Sequence, residues 1–126
     1  VCYNVLFAKN WAYRGAGGLH VSGYPTACAV NCTFAENVIK GGLGGFRNVP
    51  LVENSISWGN TGTYEPDSCE VCSNSCIQKL SATKESSGVI NTDPMFKTVD
   101  GLAYVPIIWQ RQGRPSRRCR PCMRQT

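Results

Sequence analysis

The chain has 126 residues and a formal net charge of +5, a length that fits one domain. Hydrophobic residues make up 42% of it, enough to bury a core and to exclude disorder throughout. No apolar run approaches the roughly 18 residues that a membrane-spanning helix needs, so no spanning segment is expected. The charge is uneven: residues 1–110 hold seven Lys/Arg against eight Asp/Glu, whereas residues 111–126 hold six Arg and no acid. That tail reads as solvated and structureless, or as a frame-shifted end. A basic cluster of this kind can attract acidic polymers, but no nucleic-acid partner is expected. The chain opens at Val1 without a charged-then-apolar leader, and reads as part of a longer protein.

Taken in order along the chain, three segments align without gaps: Asn4–Asn10 (NVLFAKN), Asn31–Asn37 (NCTFAEN) and Asn54–Asn60 (NSISWGN). Their starts are 27 and then 23 residues apart. After the closing Asn, glycines recur at the same offsets in the first two copies: Gly15, Gly17 and Gly18, then Gly42, Gly44 and Gly45. Leu19 or Phe46 follows, and Pro25 or Pro50 precedes the next copy. Helical repeats need long amphipathic runs at 3.6 spacing, and glycines would break them. Short β-branched and aromatic stretches between Gly, Asn and Pro are instead the mark of strands and turns. At a fixed period they predict an all-β fold, a parallel β-helix (solenoid) in which each repeat is one coil.

Stacked coils lie about 4.8 Å apart, so equivalent side chains form columns. Val5, Phe7, Cys32 and Phe34 are expected inside. Phe7 stacks on Phe34, with each buried ring worth roughly 1.5–3 kcal/mol. Asn10, Asn37 and Asn60 are expected at one corner in left-handed turn geometry, joined by amide hydrogen bonds. The glycine pairs are expected at a second corner that needs positive φ. Lys9 aligns with Glu36 as a stacked, exposed ion pair. In the third copy Ser57 replaces Phe and no glycine pair follows. Residues 1–60 are therefore read as coils, 61–110 as a Cys-rich loop and C-terminal cap, and 111–126 as the Arg-rich tail. The cap answers the need of a solenoid to protect its terminal edge.

Eight cysteines are present, and an even count at this density suggests an oxidising compartment. The disulfide candidates are Cys2, Cys28, Cys32, Cys69, Cys72 and Cys76, with their pairing open. Cys69/Cys72 and Cys119/Cys122 are Cys-x-x-Cys pairs, which can also hold zinc, although their separation exceeds that of a compact zinc ribbon. The expectation is no metal and no cofactor.

Phe7-Ala-Lys-Asn10 and Phe34-Ala-Glu-Asn37 resemble the Phe-x-x-Asn motif of the polymorphic outer membrane protein repeats. Gly17-Gly18-Leu19-His20 and Gly44-Gly45-Phe46-Arg47 resemble the Gly-Gly motif that accompanies it. Asn54–Asn60 and Asn91–Phe96, with Tyr104 after them, are similar to the closing segment of bacterial right-handed parallel β-helix proteins, which implies a right-handed coil here. The resemblance spans roughly residues 2–104. It implies a secreted or surface-displayed protein, extracellular or on a bacterial cell surface, with a structural or adhesion role and neighbouring coils in a longer chain.

Catalysis has little support in the residues themselves. Glycoside hydrolysis needs two carboxylates flanking the bond, yet Glu36 and Glu53 fall at different offsets in the coil. A basic face formed by His20, Arg47, Arg14 and Lys40 is the candidate contact for a polysaccharide or a host surface ligand. The alternatives are the C-terminal part of a polysaccharide lyase or epimerase with its site on other coils, and a zinc module built on the Cys-x-x-Cys pairs.

Overall fold

The computed structural model describes residues 1–62, 67–81, 83–99 and 103–106. Among them there is no helix, and so none long and apolar enough to cross a membrane. The first coil contains β1 (Cys2–Tyr3), β2 (Leu6–Ala8), β3 (Trp11–Ala16) and β4 (Leu19–His20). The second contains β5 (Cys28–Val30), β6 (Thr33–Ala35), β7 (Val38–Leu43) and β8 (Phe46–Arg47). The third has β9 (Val49–Glu53) and β10 (Ile56–Trp58), the fourth β11 (Cys69–Ser73) and β12 (Cys76–Ile77), and the fifth β13 (Glu85–Ser87). All of these strands pair in parallel with their counterparts one coil away: β1-β5-β9-β11-β13 form one sheet and β12-β10-β6-β2 a second, with narrower pairs β3-β7 and β4-β8. The protein is a parallel β-solenoid. A short antiparallel pair, β14 (Phe96–Val99) and β15 (Ala103–Pro106), follows the coils.

The register matches the sequence periods. Phe7 lies beside Phe34 and Leu19 beside Phe46, an offset of 27; Phe34 lies beside Ser57 and Val38 beside Thr61, an offset of 23. The coils do not stop at residue 60, however. Ile56 pairs with Cys76 at an offset of 20, and Val71 with Glu85 at 14. The Cys-rich segment therefore supplies strands β11 and β12. Asn74-Ser75-Cys76-Ile77 is a fourth copy of the repeat opening, disguised by the shorter offset and by Leu80 where the closing Asn would stand. The Arg-rich tail, 111–126, lies outside the described residues.

The first corner of every coil is built alike. Asn4, Asn31, Asn54 and Asn74 all have positive φ, between 46° and 54°, and Gly88 continues the column at 61°. Asn reaches the left-handed region more readily than most residues because its short amide can bond locally. The opening Asn thus turns the chain from the first sheet into the second. This corrects the expectation for the closing Asn. At the second corner the left-handed residue is the one before it, Lys9, Glu36 or Gly59.

The closing Asn instead forms a ladder of amides. Asn10 Nδ2 donates to Asn37 Oδ1 and Asn37 Nδ2 to Asn60 Oδ1, both at 2.9 Å. Each accepting Oδ1 also takes the backbone N–H of the Asn one coil before it. Asn37 Nδ2 and Asn60 Nδ2 each donate again, to the carbonyls of Phe7 and Phe34. Asn37 is fully buried, and this accounting explains how an amide can be: every polar atom it carries is satisfied.

The core lies between the sheets, with Phe34, Phe46, Val49, Val52, Cys72 and Ile77 at its centre. Phe7 stacks on Phe34 at 4.8 Å with rings 3° from parallel, and Phe46 tilts against Phe34 at 5.2 Å. The glycine pairs border this core, but not because they need positive φ; among the described glycines Gly15, Gly23, Gly59 and Gly88 have it. They are glycines because coils approach closely there. A Cβ on Gly17 would lie 2.5 Å from the Gly44 carbonyl oxygen, and one on Gly18 would lie 2.8 Å from the Phe34 ring.

Candidate functional site

Two places concentrate polar or reactive side chains: a buried carboxylate at the end of the glycine column, and the outer face of β3 and β7.

In the first coil pair, the N–H groups of Gly18 and Leu19 both donate to the Gly45 carbonyl, at 2.9 and 3.1 Å. One coil later the same two donors, Gly45 N and Phe46 N, meet Asp67 Oδ1 instead, both at 3.0 Å. The Asp67 carboxylate takes the place of a backbone carbonyl where the glycine pattern ends. Its other oxygen accepts from the Ser57 hydroxyl, which in turn accepts from Asn60 Nδ2. Ser57 occupies the position of Phe34 in the stack, so the loss of Phe in the third copy makes room for this network. Burial pushes the Asp67 carboxyl up to about 6, only partly opposed by the hydrogen bonds from Ser57, Phe46 and Gly45. No sequence motif marks Asp67; the Gly45-Phe46 pair with no glycine pair after it is the one signal that points to it.

Among the described residues five cysteines are free thiols: Cys2, Cys32, Cys69, Cys72 and Cys76. Cys28 is disulfide-bonded. Cys69 and Cys72 share the core, and their thiols hydrogen-bond to one another; that bond, reinforced by burial, pushes Cys69 well above the usual thiol range. Burial likewise pushes Cys32 and Cys76 up, the reverse of what a nucleophilic thiolate requires. Cys32 belongs to a column with Ser55 and Ser75. Each of the three bonds the carbonyl two residues earlier, and Ser55 and Ser75 each accept a backbone N–H from the preceding coil. Among the described residues no three His, Cys, Asp or Glu side chains converge as a metal site. Cys119 and Cys122 lie outside the described residues.

On the outside, β3 and β7 run side by side with Trp11 beside Val38, Ala12 beside Ile39 and Arg14 beside Gly41. Alternation buries Ile39 and turns Trp11 and Tyr13 outward, 67% and 56% exposed. Lys40 Nζ lies 5.6 Å from the Tyr13 ring centroid, and the Arg14 guanidinium carbon 5.8 Å from it. These are cation–π distances. Lys9 and Glu36 form the expected exposed ion pair at 3.7 Å near the same edge. The four basic residues singled out in the sequence thus separate into two pairs. Arg14 and Lys40 gather on Tyr13, while His20 and Arg47 sit side by side on β4 and β8. His20 also borders an open cavity of about 580 Å³ lined by Val1, Leu19, Val21 and Tyr24. Trp11 and Tyr13 were not recognised as surface residues from sequence, because an aromatic in a strand is ordinarily read as core.

These features define a parallel β-solenoid whose columns are hydrogen-bonded from within and whose third side carries an aromatic and basic patch. No protein-family model matches the chain, and no curated protein or solved structure matches it.

Proposed function

We propose that the chain is a structural and adhesion module of a secreted or surface-displayed β-helix protein, contacting carbohydrate through the outside of its coils. The resemblance of the Phe-x-x-Asn and Gly-Gly motifs to polymorphic outer membrane protein repeats supports this reading, as does the disulfide at Cys28. The single observation that carries it is the Asn10–Asn37–Asn60 ladder. Coils locked in register by a ladder of amides make a rigid post, and a rigid post holds outward residues at fixed spacing, which is what repeated contact with a surface polymer requires.

The test is retention on immobilised acidic and neutral polysaccharides, with the eluate followed in the near ultraviolet. Retention with the polymer left intact is the expected result. Release of an unsaturated, ultraviolet-absorbing product would replace this reading with the lyase alternative. Thiol titration of the denatured protein before and after reduction addresses localisation: no gain of thiols on reduction would contradict the disulfide at Cys28 and with it an oxidising compartment.

A further inference from the structure

We propose that the outer face of β3 and β7 is a binding site for an acidic polysaccharide, with Trp11 and Tyr13 as the sugar-stacking platform and Arg14 and Lys40 as the carboxylate contacts. The inference rests on the carbohydrate reading above and locates it.

Trp11 and Tyr13 are two residues apart on one strand, so they project on the same side roughly 6–7 Å apart. Both are largely exposed, and Val38 beside Trp11 is exposed as well. The result is a flat apolar strip on a sheet, rather than a closed pocket. A flat strip fits the C–H face of a pyranose ring, which is apolar and lies parallel to an aromatic surface. Lys40 and Arg14 both stand against the Tyr13 ring, so a sugar stacked on Tyr13 would carry its substituents toward two cations. Arg offers a planar fork that matches a carboxylate, which favours a uronate over a neutral sugar.

A single-stranded nucleic acid could also stack on aromatics, but phosphate neutralisation dominates such binding. Residues 1–110 carry a net charge of −1, and among the described residues the strip offers these two cations beside the Lys9–Glu36 pair. A ligand held mainly by ring stacking, with its carboxylates as secondary contacts, suits that balance better. His20 lies next along the same edge: a Cβ on Gly15 of β3 would sit 3.0 Å from its Nδ1. With Arg47 beside it, a longer polymer would meet a second basic pair.

The experiment is a titration of the full chain with a galacturonate hexamer, its methyl ester and an oligothymidylate of similar length, followed by calorimetry. The variants are Trp11→Ala, Tyr13→Ala and Arg14→Gln, each checked by circular dichroism. Exposed side chains can be removed with little effect on folding. The expected result is galacturonate binding that weakens about tenfold or more in Trp11→Ala and Tyr13→Ala. It also weakens several-fold in Arg14→Gln and for the methyl ester. Galacturonate binding that is unchanged in both aromatic variants would overturn this site and leave the carbohydrate reading standing. Failure of the wild-type chain to bind either sugar oligomer would overturn both. Equal binding of the acid and its ester would overturn the role of the cations. Tighter binding of the oligothymidylate, lost in Tyr13→Ala, would assign the strip to nucleic acid instead.

Discussion

Replacing Asn37 by Ala is the most direct test of what locks the coils together. The side chain makes four hydrogen bonds: two accepted from Asn10, one donated to the Phe7 carbonyl and one donated to Asn60 Oδ1. Asn10 is exposed, so water replaces its two bonds at small cost. Asn60 Oδ1 keeps the N–H of residue 37 and loses one bond of two, about 1 kcal/mol. The Phe7 carbonyl loses this donor inside the stack, at a cost of about 1–2 kcal/mol. A void the size of an amide adds to this, giving about 3 kcal/mol in all. Asn10→Ala removes only the exposed rung, so about 1 kcal/mol or less is expected. Asn37→Asp keeps the volume and both acceptor bonds but cannot donate. At neutral pH it should cost at least as much as Ala. Urea unfolding followed by tryptophan fluorescence gives all three values. If Asn37→Ala lost less than Asn10→Ala, or if Asn37→Asp matched wild type, the ladder would not be the lock, and the argument from satisfied amides would fail.

Asp67 makes stability depend on pH in an uncommon direction. Its carboxyl sits near 6 in the folded chain against the ordinary carboxyl value of 3.8, so between these values the folded state binds the proton more tightly. Stability is therefore expected to fall as pH rises from about 4 to about 6, by up to about 3 kcal/mol, and to show no further Asp67 contribution above that; Asp67→Asn should flatten this part of a thermal-melt profile. Gly45→Ala drives a Cβ to within 2.7 Å of the Asp67 carboxylate and should cost about 1–3 kcal/mol, whereas Gly41→Ala meets only the Tyr13 carbonyl oxygen, at 3.6 Å, and should be nearly neutral in the same melts. Phe34→Ala removes a fully buried ring stacked on Phe7 and should cost about 3–5 kcal/mol in urea unfolding.

The solenoid was legible in the sequence because its columns are literal repeats. Phe7 over Phe34, Asn10 over Asn37 and Lys9 over Glu36 follow from the 27-residue offset alone. The reasons attached to two columns were not legible. A glycine pair and a closing Asn both suggest left-handed turns, yet the structure needs the glycines for close coil approach and gives the left-handed geometry to neighbouring residues. Sequence shows which positions are restricted, but not whether φ or crowding restricts them. The fourth coil was hidden because Cys69, Cys72 and Cys76 suggest covalent chemistry, although here they fill core positions that Val49, Val52 and Ile56 fill one coil earlier. The aromatic strip was hidden for a related reason, since nothing in the composition of β3 says which face of the strand meets water.

The shrinking offset between coils has a consequence for how such a protein could change. The step from the first sheet to the second is constant: Ala29 to Phe34, Val52 to Ser57 and Cys72 to Ile77 each take five residues. All the shortening, from 27 to 14, is taken up elsewhere in the turn. One corner is thus a hinge-post of fixed pattern, and the remaining sides are free in length. New loops, and whatever they recognise, can be spliced into those sides without disturbing the post, so diversity should accumulate there while the asparagine corner stays as it is.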